Sequence, residues 1–271
     1  MSPQKPMKLA GVIPLLVLML ASYPPGVQAE LARSLNAPSS GRSLSNIVAN
    51  TPIHLAQNFP DEGDPKGRRR GGTSRREGCP ALKTPITALV PGEETNGTSF
   101  LASTVAEYPT FWVYVPELPT NLRSGEFVLQ DEEGNDVFRT PLTLQGLPGA
   151  IAIDLPSNPQ YALKQNSKYH WFFRVYCGDP QNHPEYIFVD AWMQRVALTP
   201  DLQRHLQTAK PREYTAYAAH NVWYDAVTNL AELRRTNPDD RVLTEEWTKL
   251  LKAVGLEELA RAPIVQHYTP E

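Results

Sequence analysis

Between residues 86 and 198 apolar positions recur with a period of two, in short runs rich in β-branched and aromatic side chains and separated by Gly, Pro, Asn and Asp. Alternate side chains of an extended chain point to opposite faces, so such runs read as strands. The pattern predicts strands over residues 86–90, 111–115, 126–131, 136–144, 150–155, 168–177 and 186–198. Glu132-Glu133-Gly134-Asn135 joins two of them as a hairpin, with Gly134 and Asn135 suited to positive φ. No helical period interrupts the series, which predicts an antiparallel β-sandwich of immunoglobulin-like or fibronectin-like type over residues 79–198.

After Leu198 the apolar period lengthens. Thr199, Pro200 and Asp201 supply an N-cap, a proline in the first turn and an acid near the positive end of a helix. A second helix is expected from Pro211. A third carries Trp223, Ala226, Val227, Leu230 and Leu233 on one stripe, and a fourth carries Leu243, Trp247, Leu250, Leu251 and Val254 before Gly255. Residues 199–271 therefore read as a small α-helical tail, and the whole chain as α+β. Tyr217, Asn221, Trp223, Ala226, Leu230, Leu233 and Pro238 are spaced like the second half of a tetratricopeptide repeat, in one copy. That implies a helical hairpin, with peptide binding as its functional alternative.

The N-terminal part has neither period. Lys5 and Lys8, the apolar residues 9–21 and Val27-Gln28-Ala29 have the order of a cleaved export signal over residues 1–29, too short to span a bilayer. Residues 30–78 are rich in Ser, Asn, Pro and Gly and are expected to be a disordered basic arm. The chain holds 26 Pro against 16 Gly, a balance suited to turns and short strands. Without residues 1–29 it has 24 basic and 29 acidic residues, with 8 and 5 of them in the arm and 16 and 24 after it. The arm ends in a run of cations, Lys66, Arg68, Arg69, Arg70, Arg75 and Arg76. This run is a candidate electrostatic anchor for anionic polymers or lipid head groups, the alternative being a solvated linker. Export leaves no role for nucleic acid.

Export also changes the reading of Cys79 and Cys177, the two cysteines of the chain. An oxidising compartment favours a disulfide between them. With no C-x-x-C and no clustered His, a redox pair or a metal site is the weaker alternative. Histidines fall at 54, 170, 183, 205, 220 and 267 and read as surface or turn residues, so no metal is expected. Asp131, Glu132, Glu133 and Asp136 crowd a hairpin tip, either as a calcium loop or as an exposed acidic turn. There is no G-x-S-x-G, no H-E-x-x-H and no P-loop, hence no assignable catalytic residue and no cofactor.

Period two places His170, Phe172, Arg174 and Tyr176 on one face of their strand, with Phe188 and Trp192 on the next strand. Aromatic area combined with polar tips suits a flat polysaccharide or peptide. The alternative is that the helical tail covers this face to bury its own stripes.

The stretches Arg68-Arg69-Arg70-Gly71-Gly72, Cys79-Pro80-Ala81-Leu82, Tyr108-Pro109-Thr110-Phe111-Trp112-Val113-Tyr114-Val115-Pro116, Phe127-Val128-Leu129-Gln130-Asp131, Tyr169-His170-Trp171-Phe172-Phe173 and Trp223-Tyr224-Asp225-Ala226 together resemble a cyanobacterial domain family of unknown function, numbered 928. The resemblance runs from about Arg68 to Val265. It implies a cyanobacterial origin and export, and carries no catalytic residues with it. The expected function is an exported, non-enzymatic binding or scaffold protein that contacts an anionic envelope polymer or an envelope protein. Its alternatives are an envelope hydrolase using carboxylates such as Glu185 and Asp190, or a peptide-binding assembly factor recognising peptides through the helical hairpin, which a change of Trp223 tests if that residue is exposed.

Overall fold

The computed structural model describes residues 67–71, 79–93, 98–99, 101–178 and 185–270. The expected export signal and most of the basic arm, with Lys66, Arg75, Arg76, His54 and His183, lie outside them.

Two sheets of five strands form the body. The first is ordered β1 (Arg70–Gly71), β2 (Ile86–Ala88), β6 (Thr110–Val115), β9 (Gly149–Asp154) and β12 (Ile264–Tyr268). The second is ordered β5 (Ala102–Thr104), β11 (Tyr186–Arg195), β10 (Lys168–Tyr176), β7 (Ser124–Asp131) and β8 (Asp136–Thr143). A separate ribbon pairs β3 (Gly92–Glu93) with β4 (Thr98–Ser99). All seven predicted strands are present, but the sheets are mixed rather than wholly antiparallel. β12 runs parallel to β9, and β5 runs parallel to β11. Both parallel partners are joined by long connections through other elements, as parallel pairing requires.

The sheets share one core. The Phe111 ring of the first sheet lies 4.6 Å from Phe127 and 5.6 Å from Trp171 of the second. Along β10 the alternation is strict, with Tyr169, Trp171, Phe173 and Val175 buried and the residues between them half-buried. At the β7–β8 hairpin Gly134 alone takes the left-handed conformation, at φ 84°. Asp131 fixes that turn by accepting from the backbone N–H groups of Glu133 (3.1 Å) and Asn135 (2.8 Å).

Among the described residues four α-helices follow: α1 (Pro200–Ala209), α2 (Tyr214–Ala219), α3 (Trp223–Thr236) and α4 (Arg241–Lys252). Thr199 caps α1 by accepting from Leu202 N–H at 3.2 Å, as its sequence predicts. The second helix starts at Tyr214, three residues later than expected. Gly255, at φ 68°, ends α4 while Leu256 N–H closes back on the Leu251 carbonyl at 2.9 Å.

The helices bury their stripes against the first sheet. Trp112 Nε1 donates to Thr228 on α3 (3.0 Å), and Trp223 Nε1 donates to the Leu89 carbonyl (2.8 Å). Tyr224 reaches the inter-sheet core, where its hydroxyl accepts from Trp171 Nε1 at 2.8 Å. Every residue from Gly149 to Ile153 in β9 is consequently buried, a strand covered on both faces. The alternative in which the tail covers the His170 face is thus corrected. The chain also does not end in helices, since β12 re-enters the first sheet.

A second correction concerns the arm. Its end is not free chain: Arg68 exchanges backbone hydrogen bonds with Asp190 of β11 at 2.9 and 3.0 Å, and two residues later β1 pairs with β2. Residues 68–71 thereby stitch an edge of the second sheet to an edge of the first. The crossing at Gly71 is close: a Cβ there would lie 3.1 Å from Ile187 and 3.2 Å from the Phe188 carbonyl, tighter than ordinary contact.

Candidate functional site

Because the helices occupy the first sheet, the outer face of the second is left as a flat aromatic and charged platform. His170 is its centre. Its ring stacks on Trp192 at 4.4 Å and 15°, lies 4.1 Å from Phe172, and its Nε2 meets Asp190 Oδ2 at 2.7 Å. Asp190 is buried beneath the platform, so this bond fixes the imidazole against the indole. One end of the platform is organised by Glu126, whose Oε2 takes Arg139 (2.7 Å), Arg174 (3.2 Å) and the Tyr176 hydroxyl (3.1 Å). Arg174 also lies 5.2 Å above both the Phe172 and Tyr186 rings.

At the other end Arg68 is exposed, with its guanidinium 4.4 Å above the Phe188 ring and no carboxylate partner among the described residues. The indole N–H of Trp192 is buried and has no hydrogen-bond partner among the described residues. All six residues predicted as a binding face therefore meet on one surface, joined by Arg68 from the expected anchor.

The other arginines of the run have different roles. Arg69 is buried, and its Nη1 donates to the Val254 carbonyl at 2.6 Å, where a cation complements the negative end of α4. Arg70 pairs with Glu258 at 2.5 Å.

A second feature is an acidic cleft of about 330 Å³ between the end of β5, the start of β6, and α2 and α3. Asp225, Thr228, Asn229 and Glu232 line it from one face of α3, at the spacing i, i+3, i+4 and i+7. Glu213 and Tyr217 line it from the α2 side. Asp225 Oδ2 accepts from Thr104 Oγ1 (2.7 Å) and from the Val105 N–H (3.2 Å). Burial nevertheless outweighs those bonds and pushes its carboxyl up to about 6. Burial, reinforced by the Asp225 charge, pushes the Tyr217 phenol up to about 12.

A family model matches residues 70–264. The chain belongs to the family described as Domain of Unknown Function (DUF928). The DUF928 match opens at the first residue of β1 and closes at the first residue of β12, so it takes in the cleft and all of the platform except Arg68. No curated protein matches the chain.

Within the DUF928 region the remaining predicted residues are placed as follows. Cys79 and Cys177 stand at disulfide distance, with Cα atoms 5.1 Å apart. Glu185 and Asp190 do not converge: they are separated by five residues of extended chain, roughly 16 Å, and Asp190 is held by His170. Trp223 is fully buried. The acidic turn is used internally, since Asp136 bonds Gln130 and Arg139, and Glu132 accepts from the Lys168 N–H. Two of the dispersed histidines do meet, His205 Nδ1 lying 2.8 Å from His220 Nε2. The cleft escaped prediction, although the i, i+7 relation of Asp225 and Glu232 is visible in the sequence. Only the tertiary fold brings Glu213 to the same place.

Proposed function

We propose that the chain is an exported, non-enzymatic binding protein whose platform on the second sheet holds an anionic envelope polysaccharide. Arg68 carries this reading: an exposed guanidinium, stacked on an aromatic ring and without a carboxylate partner among the described residues, is poised for a ligand carboxylate or sulfate. Trp192, on the same face and stacked on His170, offers aromatic area to a sugar ring, its N–H being buried. Lys66, Arg75 and Arg76 are close to Arg68 in sequence and carry the same sign of charge. We read the two packed sheets as an immunoglobulin-like sandwich with added edge strands, an architecture common among extracellular binding modules. A cysteine pair at disulfide distance supports an oxidising compartment. Among the described residues no helix is long and apolar enough to cross a membrane.

The test is binding of the full chain to polygalacturonate and, as a neutral control, dextran, across a salt series. Binding to the uronate polymer that weakens with salt, and falls about tenfold in Arg68→Ala and in Trp192→Ala, is the expected result, each loss corresponding to about 1.4 kcal/mol. Equal binding to dextran, or variants indistinguishable from the parent, would refute it.

The cleft supports a second reading, hydrolysis. A carboxyl held near pKa 6 is suited to general-acid work, and Glu213 lies in the same cleft as a candidate base, whereas Glu232 Oε2 is ion-paired to Arg235. With Asp225 Oδ2 already accepting two hydrogen bonds, its proton belongs on Oδ1. Release of reducing ends from envelope polysaccharide by the parent chain but not by Asp225→Asn would select this reading over simple binding. Trp223 is buried and bonded to Leu89, so it cannot serve as the test residue for peptide capture by the helical hairpin.

A further inference from the structure

Away from both platform and cleft, three side chains converge where α1 meets the end of α2. Asp201 and His205 are four residues apart on α1 and share one face of that helix. His220 is the residue that ends α2. His205 Nδ1 lies 2.8 Å from His220 Nε2, and His220 Nε2 lies 3.6 Å from Asp201 Oδ2. One ligand atom from each of the three falls within 4.8 Å of the others. The remaining carboxylate oxygen of Asp201, Oδ1, is bonded to Arg204 at 2.7 Å, which leaves Oδ2 to face the histidines.

We infer that Asp201, His205 and His220 form a binding site for a divalent first-row transition cation such as Zn2+ or Cu2+. The donor set decides the class of ion. Two imidazole nitrogens and one carboxylate oxygen suit Zn2+, Ni2+ and Cu2+, whereas Ca2+ and Mg2+ require oxygen ligands. The geometry is close to that needed. Two nitrogens bound tetrahedrally at 2.0 to 2.1 Å from a zinc ion stand about 3.3 Å apart, so the imidazoles need separate by only about 0.5 Å from their present hydrogen-bonded distance. In the hydrogen-bonded pair the two nitrogens point at each other, so each ring must also tilt toward a common point off the N–N line, where a cation replaces the shared proton. The carboxylate supplies charge on the same side, and the exposure of Asp201 and His205 leaves further positions open to water.

The backbone beneath is fixed. Leu202 and Leu206, each the neighbour of a ligand residue, pack with Ala216, Val222 and Tyr217 in a small apolar cluster of their own. His220 N–H bonds back to Ala216 and Tyr217, Asn221 turns the chain at φ 58°, and Val222 N–H closes on the Tyr217 carbonyl at 2.9 Å. The ligands therefore project from a braced helix pair, and the ion would staple α1 to the end of α2.

The experiment uses the full chain, without a polyhistidine tag and freed of metal by chelation, titrated with Zn2+ and separately with Cu2+ against a chromophoric chelator. Thermal unfolding is followed in parallel. One equivalent of each ion is expected to bind, with Cu2+ the tighter, and Zn2+ is expected to raise Tm. Mg2+ and Ca2+ are expected to do neither. His205→Ala and His220→Ala should each weaken binding at least tenfold and abolish the Zn2+ shift in Tm. His267→Ala, which removes an imidazole engaged with Asp154 elsewhere, should change nothing. Unaltered binding in the His205→Ala, His220→Ala double variant, or no saturable binding by the parent chain, would overturn the assignment. His205 is exposed, so its variant folds, and its circular dichroism spectrum verifies this.

Discussion

Asp225 gives the most quantitative test of the energetics. Its carboxyl sits near 6 in the folded chain against about 3.9 when unfolded. A carboxyl raised in this way favours the folded state only while protonated in both states, below about pH 4. That contribution is lost as pH rises through 6. At 1.36 kcal/mol per unit, the loss between pH 4 and 7 comes to about 2 to 3 kcal/mol, the lower figure applying if the cleft admits water readily. Asp225→Asn removes the titration but keeps an oxygen able to accept from Thr104 Oγ1 and the Val105 N–H. Urea unfolding of parent and variant at several pH values between 4 and 7 isolates the term, because all other titrating groups cancel in the difference. The variant should gain about 2 to 3 kcal/mol relative to the parent by pH 7, most of the change falling between pH 4 and 6. A difference that does not vary with pH would refute the burial argument.

Further outcomes follow from packing and covalent structure. Gly149→Ala would place a Cβ 2.5 Å from the Pro263 carbonyl and from Val265, so it should detach β12 from β9 and be the more damaging of the two glycine changes. Gly71→Ala meets looser neighbours and should cost about 1 to 3 kcal/mol, both read from urea midpoints. Trp223→Phe leaves the Leu89 carbonyl unpaired in the core and should cost about 1 to 3 kcal/mol. Cys79→Ser opens a loop of sequence separation 98 and should lower stability by up to roughly 4 to 5 kcal/mol, seen as a lower Tm that added reductant does not reduce further.

The strands that were legible in the sequence are those long enough to show a period. β10 alternates over Lys168–Tyr176, and the platform could be read from it directly. Arg70–Gly71 and Ala102–Thr104 are too short to carry any period, and Ile264–Tyr268 shows no alternation of burial. The placement of the helices was misjudged for a different reason. An apolar stripe demands a partner without naming it, yet Gly-Ala-Ile-Ala-Ile in β9 has no polar residue on either face, which is the pattern of a strand covered on both sides. Composition presents the arginine run as an electrostatic anchor or a solvated linker. Nothing local reveals that Arg69 meets the Val254 carbonyl, 185 residues away, or that Arg68 is held by backbone pairing to Asp190. His205 and His220 read as isolated for the same reason, since only the turn between α1 and α2 brings them together.

The central claim, that the outer face of the second sheet is the binding surface, is tested most directly by the indole N–H resonances of the 15N-labelled chain titrated with oligogalacturonate. Trp112, Trp171 and Trp223 donate to Thr228, Tyr224 and Leu89, while the Trp247 side chain is buried beside Arg234. Trp192 alone belongs to the platform, stacked on His170. A saturable shift of the Trp192 resonance, with the other four unmoved, is the predicted result. Binding that leaves Trp192 in place while shifting an indole on the helical side would contradict it.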